Sequence, residues 1–369
     1  MEGLEMQEAW LRLNTLEMAP HRIHALLEAF GGSPAAIFKA SAADVAERLP
    51  SLNAKRLDHI STVRNRDMTK DRAALAKSGA HLVTIADANY PINLRQLPDA
   101  PPVLIVRGEL IPEDKFSLAI VGSRRATSYG LGIARQFARE LAQHGLTIVS
   151  GGARGVDTEA HRGALEANGR TLSYLGCGVD CNYPRENSRL FSDIAEGHGA
   201  VLSEFPMGTK PEPWRFPARN RLISGTSLGV LVIESPSDSG SLITAREAGD
   251  QGRDVFAIPG PIGFGHNTGC HKLIQDGAKL VESVDDILAE LGVLTLSAPT
   301  GNAPTVRALP ALPPEQRRIL DMLTLQPRHM DGMIGESRLT PAQVNGILTL
   351  LEMQGLAKRV PGNAFVRVL

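Results

Sequence analysis

The chain has 369 residues, 43% of them apolar and 21% charged, with a formal net charge of −1. That length favours two or three domains with real cores. The near-neutral balance excludes a nucleic-acid binder that works by bulk positive charge, leaving only a local basic cluster for such a role. No apolar run approaches the roughly 18 residues of a membrane span. The opening MEGLEMQEAW carries acids where a secretory leader carries Lys or Arg, so a cytoplasmic protein with reduced cysteines is expected. Cys177 and Cys181 lack the spacing and the second ligand pair of a zinc site, and no metal is expected.

In chain order, residues 1–68 read as a small all-helical module. Leu11, Leu13 and Leu16 begin one helix, and Ile23, Leu26, Leu27 and Phe30 form an i, i+3, i+4, i+7 stripe that stops at Gly31-Gly32. Further helices are expected over 34–40, 42–49 and 55–64. From 69 to 292 short apolar runs take over, at 81–85, 103–106, 117–121, 147–149, 171–175, 200–202, 229–233, 254–258 and 279–281. Amphipathic stretches such as 130–144, 156–168 and 242–251 separate them. Such runs with helical crossovers predict a mainly parallel α/β sheet covered on both faces, with ligands at the carboxyl ends of its strands. Residues 293–312 are rich in Pro, Ala, Thr and Gly, which is linker chemistry. Over 313–369 three helices, at 315–325, 330–337 and 341–354, precede a hairpin around Pro361-Gly362-Asn363. The third opens with Thr340 as N-cap, Pro341 at its first position and Gln343 completing a capping box, and Gly355 closes it. That is the pattern of a winged helix.

Four loops carry chemistry. Gly122, Ser123, Arg124 and Arg125 lie between a strand and a helix, where small residues let backbone amides face an anion and the guanidinium groups can fork onto phosphate oxygens. Gly130-Leu131-Gly132 begins like a dinucleotide fingerprint, but Arg135 takes the third glycine position and the pair lies too far from the strand, so no nicotinamide cofactor is expected. The second loop, with Gly151, Gly152 and Arg154, makes another anion nest. Asp157 and His161 follow it, four residues apart on one helix face, either as an acid–base dyad or as an ordinary i, i+4 pair. The third runs from 208 to 221 and interleaves Lys210, Arg215, Arg219 and Arg221 with Trp214, Phe216 and Asn220. Cations along a backbone and π-faces for bases suit a single nucleic-acid strand. The fourth, with Ser239, Gly240, Ser241 and Thr244, opens a helix with hydroxyls that either cap it or donate to phosphate oxygens. Several anion-friendly loops on one sheet edge suit a polyanion better than a single small ligand.

At these loops the sequence resembles the DprA/Smf (DNA processing protein A) family. The segments that carry the likeness are Val121 to Arg124, Ser150 to Asp157 with Ala160-His161, Leu175 to Asp180 with Tyr183-Pro184, Ser203-Glu204, Phe216 to Gly225, Ser239 to Ala245, Pro259-Gly260, and Leu273 to Ala278. The resemblance implies an extended Rossmann-like domain over 69–292 that binds single-stranded DNA at its loop edge, flanked by an N-terminal sterile-alpha-motif-like (SAM-like) module and the C-terminal winged helix. It also implies protection of incoming DNA and delivery to the RecA recombinase in natural transformation, with no catalysis and no cofactor, by a homodimer joined near Leu273 and Ile274. Two departures matter. The N-terminal hairpins read Met18-Ala19-Pro20 and Pro50-Ser51-Leu52-Asn53, without the glycines that present amides to phosphate. The winged helix has few cations on its third helix, with Lys358 and Arg359 only at the wing. Independent DNA binding is not expected of the first module, where a protein-contact or spacer role fits better, and duplex DNA is not assigned to the second.

Two rival readings remain at this point. The fold relates to nucleoside-monophosphate phosphoribohydrolases with a PGG-x-GT-x-x-E loop, and Thr244 and Glu247 keep the T-x-x-E spacing. Ser239, Ser241 and Ile243, however, replace the proline and two glycines. The other is a protein–protein adaptor for which DNA contact is incidental.

Overall fold

The computed structural model describes residues 2–263, 265–292, 312–324, 328–354, 356–360 and 362–367, with the side chains of 2–4 left aside. The linker expected over 293–312 lies, except for Leu312, outside the described residues, as do Gly355 and Pro361 of the winged-helix reading.

The chain opens with six helices: α1 (Glu2–Thr15), α2 (Pro20–Ala29), α3 (Pro34–Lys39), α4 (Ala42–Arg48), α5 (Ala54–Asn65) and α6 (Thr69–Ser78). Leu11 and Leu13 fall near the end of α1 and do not begin it, and Leu16 lies just past it. The helix stops where Glu17 turns into the left-handed region at φ 45°. Arg12 joins the ends of two helices, its Nη1 donating to the carbonyls of Val63, Arg64 and Arg66 at 2.6, 2.9 and 2.8 Å. Trp10, Leu13, Leu26, Ile37, Val45 and Ile60 form a core of their own, which continues onto Val103 of the sheet.

The following elements are β1 (Ala80–Thr84), α7 (Ile92–Arg95), β2 (Val103–Gly108), β3 (Ser117–Gly122), α8 (Ser128–Gln143), β4 (Thr147–Ser150), α9 (Val156–Glu166), β5 (Thr171–Tyr174), α10 (Ser188–Ala195), β6 (Gly199–Ser203), α11 (Arg215–Thr226), β7 (Gly229–Ile233), α12 (Ser241–Asp250), β8 (Asp254–Ala257), α13 (Thr268–Gln275), β9 (Lys279–Leu280) and α14 (Val284–Leu291). Among the described residues the nine strands form one sheet in the order β1-β2-β6-β5-β4-β3-β7-β8-β9. β2 runs antiparallel to both its neighbours, β1 and β6, at one edge, and the remaining pairings are parallel. Alternation along β3 sends Leu118 and Ile120 to one face, against α8, α9 and α14, and Ala119 and Val121 to the other, against α11, α12 and α13. Both faces are buried, so the strands read as unbroken apolar runs. A mostly parallel α/β sheet is the architecture observed.

From β3 the chain winds outward to β6, then crosses back to β7 on the other side of β3. That reversal leaves a crevice at the carboxyl ends of β3 and β7, where ligands of open α/β sheets sit. Beyond the sheet lie α15 (Pro314–Met322), β10 (Arg328–His329), α16 (Met330–Ser337), α17 (Pro341–Met353), β11 (Ala357–Val360) and β12 (Ala364–Arg367). The three strands pair in the order β10-β12-β11. Thr340 accepts from the Gln343 amide at 3.4 Å while the Gln343 side chain accepts from the Thr340 amide at 2.9 Å, closing the capping box. No helix among the described residues is long and apolar enough to cross a membrane.

Gly122 ends β3 in register with Ile233 of β7, and a Cβ there would overlap the Ile233 carbonyl oxygen. The close approach of the two strands at the crevice therefore requires glycine. Gly122→Ala is expected to lower stability by about 1–3 kcal/mol, the cost of overpacking a tight site, as read by chemical denaturation. An unchanged midpoint would show that the strands separate there without cost.

Candidate nucleic-acid interface

A groove of about 690 Å³ opens at this crevice. One wall is the β3–α8 loop, Gly122 to Arg125; the other is the β7–α12 loop with Ser239, Gly240 and Ser241. The end wall is the start of α11, with Phe216, Arg219 and Asn220, and Tyr183 and His266 complete the rim. The two loops are tied together by Glu234, the residue after β7. Its carboxylate accepts from the Thr127 amide at 2.7 Å and the Thr127 hydroxyl at 2.5 Å, and its carbonyl accepts from the Ser123 amide at 2.9 Å. Thr127 in turn caps α8.

The predicted residues divide into three groups. Arg124 and Arg125 are exposed in the groove, and no carboxylate among the described residues pairs with either. Gly122, Ser239, Gly240 and Phe216 share that surface. A second group lies beneath it. Arg219 is 3% exposed and donates through Nη1 to the carbonyls of Gly151, at 2.5 Å, and Tyr174. Gly151 and Gly152 are buried, and Asn187 Nδ2 holds the Gly152 carbonyl at 3.0 Å. Asn220 Nδ2 donates to the Gly240 carbonyl at 3.3 Å. Ser241 is linked to Ser239 at 2.7 Å and Ser235 at 2.8 Å, and Thr244 and Ser123 are buried. These residues shape the loops, Arg219, Asn220 and Ser241 through hydrogen bonds to neighbouring groups.

The third group is displaced from the groove. Arg215 lies between the rings of Phe205 and Trp214, at 4.7 and 4.4 Å, and pairs with Glu17 of the helical module at 3.1 Å. Arg221 pairs with Glu204 and with Asp99, and lines a separate cleft between α1 and the sheet. Arg154 pairs with Glu186 on the surface. Lys210 is exposed on the loop leading to the groove, and no carboxylate pairs with it among the described residues. The even distribution of arginines expected from 215 to 221 therefore gives way to local ion pairs, since each guanidinium meets an acid or carbonyls brought in by another element.

The acid–base dyad does not form. His161 is fully buried, and its Nδ1 meets the Thr171 hydroxyl at 2.7 Å. That hydroxyl spends its proton on the Ile148 carbonyl at 2.7 Å, so Nδ1 carries the imidazole proton. Burial, with the Arg219 charge nearby, pushes the His161 pKa down to about 3. Asp157 caps the Ala153 amide at 3.2 Å instead, and burial raises its pKa despite the opposing pull of Arg219. Burial also lowers Arg219 to about 10, against the attraction of Asp157. Among the described residues no cluster of His, Cys, Asp and Glu is arranged to hold a metal ion.

A doubly wound sheet with an arginine-bearing groove at its switch point defines the class, a mostly parallel α/β protein with a crevice of the kind in which such sheets hold ligands. The family model for DNA recombination-mediator protein A matches residues 81–292, and that of the DprA winged helix domain matches 303–363. The chain belongs to the DNA recombination-mediator protein A family. It is 36% identical over 317 residues to protein Smf of Synechocystis sp., covering 77% of this chain and 79% of that one. It is similar to the X-ray structure of DNA processing protein A from Streptococcus pneumoniae, with TM-score 0.65 and 37% identity over 76% of this chain and 95% of that one. DNA processing protein A from Helicobacter pylori, solved for its single-stranded DNA binding mode, matches with TM-score 0.52 and 31% identity over 57% and 96%.

Sequence reasoning passed over Glu234 and Asn187. The first was visible as an acid placed directly after an all-apolar strand; the second had no local signal. The buried histidine gives a pH test. Below its ordinary value of 6.5 an unfolded His161 takes up a proton that the folded one refuses until about 3. Stability contributed by the neutral ring is thus complete above 6.5 and lost as pH falls through that window, by up to a few kcal/mol. The raised Asp157 and Glu204 work in the opposite sense, so the readout is a difference. His161→Asn should flatten the fall of stability between about pH 6.5 and 4 relative to the unsubstituted chain, measured by denaturant titration. Parallel profiles would refute the assignment.

Proposed function

We propose that the groove binds single-stranded DNA without altering it chemically. The observation that carries this is the pair of exposed guanidinium groups, Arg124 and Arg125, without a paired carboxylate among the described residues, facing the β7–α12 loop across a crevice in which Asp157 is buried. Lys210 extends the cationic rim on the approach. The reading is supported by the family membership and by the single-stranded DNA binding described for the Helicobacter pylori protein. On the same reading the chain protects incoming DNA and hands it to the RecA recombinase during natural transformation, in the cytoplasm. The proposed division is a helical SAM-like module over 1–68, a binding domain over 69–292, a linker over 293–312 and a winged helix over 313–369. Two copies would join near Leu273 and Ile274 of α13, which pack only partly buried against the sheet core.

Hydrolysis of nucleoside monophosphates has little support in the site, because Ser239, Ser241 and Ile243 replace the proline and two glycines of that loop and Thr244 is buried. The test separates free from structural cations. Arg124→Glu with Arg125→Glu should lower affinity for oligothymidylate by more than tenfold while the folded spectrum and melting temperature persist. For every phosphate that is no longer neutralised, the salt dependence should flatten by about 0.7 in log–log slope. Arg219→Glu, which buries a second acid beside Asp157, should fail to fold. Full affinity in the Arg124/Arg125 variant would refute the proposed interface.

A further inference from the structure

Aromatic residues make up only 4% of the sequence, and folding normally draws such large rings inside. Among the described residues two aromatic rings are exposed, Tyr183 at 41% and Trp214 at 59%. They line two neighbouring cavities. Tyr183 lines the groove, while Trp214 follows the groove residue Pro213 and lines the neighbouring cleft beside α1.

Neither ring is loose. Tyr183 leans on Phe216, with centroids 5.7 Å apart and planes tilted by 42°. Trp214 carries the Arg215 guanidinium 4.4 Å from its centroid, meets Phe205 edge-on at 6.4 Å, and donates its indole N–H to Glu212 at 2.5 Å. Arg215 is itself fixed by Glu17. Phe216, by contrast, is partly covered. A Cβ at Gly176 would stand 2.9 Å from its ring, the Arg124 guanidinium lies 5.3 Å from its centroid, and Tyr183 covers it further. Of the two rings singled out in the sequence, Phe216 is a support and Trp214 keeps open surface, as does Tyr183 beside Phe216.

We propose that Tyr183 and Trp214 are stacking platforms for nucleobases, one inside the groove and one where the strand leaves it toward the cleft beside α1. This deepens the proposed function and rests on it. Rings already held in place lose little freedom when a base stacks on them, and stacking tolerates any base because each has a π-face. Paired bases of a duplex have no free face to offer, so these two rings would discriminate single from double strands, while Arg124 and Arg125 serve both through phosphate.

The test uses the full chain with an oligothymidylate of about 20 nucleotides and an abasic phosphodiester strand of the same length. Tyr183→Ala and Trp214→Ala should each weaken oligothymidylate binding about 5- to 150-fold and leave affinity for the abasic strand unchanged; Tyr183→Phe should bind as the unsubstituted chain does. The sequence has two tryptophans, and the other, Trp10, is buried in the helical core. Oligothymidylate should therefore quench fluorescence that Trp214→Phe removes. Unchanged thymidylate affinity in the alanine variants, or an equal loss on both strands, would overturn the platforms. If the unsubstituted chain bound neither strand, the failure would lie with the proposed function itself.

Discussion

The carboxylate of Glu234 clasping Thr127 across the end of the sheet is the contact on which the groove depends. β3 and β7 are neighbours in space but lie on either side of a long excursion through β4, β5 and β6. Their following loops have no covalent reason to stay in register. Glu234 supplies one, holding an amide and a hydroxyl of one loop from the first residue beyond the other strand, at φ 46°. A buried carboxylate that accepts two hydrogen bonds is costly to leave unpaired, so the two walls move together or not at all. Gly122 completes the constraint by letting the strand ends approach without a side chain between them.

Beneath that clasp the same chemical group serves two ends. Arg219 satisfies carbonyls of the loops after β4 and β5, and Asp157 sits close enough to offset part of the cost of burying its charge. Arg215 and Arg221 lock α11 against α1 and against the loops bearing Glu204 and Asp99. Once these pairs are made, the cations left facing the groove are few, and among the described residues no carboxylate forms an ion pair with them, the Asp157 of the groove being buried. A site for a polyanion thus arises less from adding charge than from withdrawing the neutralising carboxylates.

The inner strands were legible because a parallel strand buried on both faces is apolar at most positions, which is a local signal; the partly buried edge strands β1 and β9 showed as short apolar runs of the same kind. The capping box at Thr340 and Gln343 was legible for the same reason, being complete within four residues. α1 was misread because its first half is solvated, with Met6 exposed, so the apolar stripe begins only where the helix is about to end. α6 was overlooked because Thr69 to Ser78 contains one leucine and little else to mark a buried face. The fate of the arginines was illegible in principle: Arg215 finds its acid at Glu17, far back in the chain, and spacing along α11 carries no trace of it. Tyr183 was quoted only as part of a motif, since exposure of a ring is a property of the folded surface.

With so few free cations the salt dependence of one groove should be shallow, because single strands contribute about 0.7 in slope for each phosphate neutralised. A shallow slope and tight binding are compatible only if amides, stacking or a second groove provide the rest. Joining two copies would convert the second binding event into an intramolecular one and raise avidity without any new chemistry. His266 on the groove rim stands two residues before the start of α13, the helix that carries Leu273 and Ile274. A junction formed there would lie close to the groove in each copy, and a strand too weakly held by one could be retained by the pair.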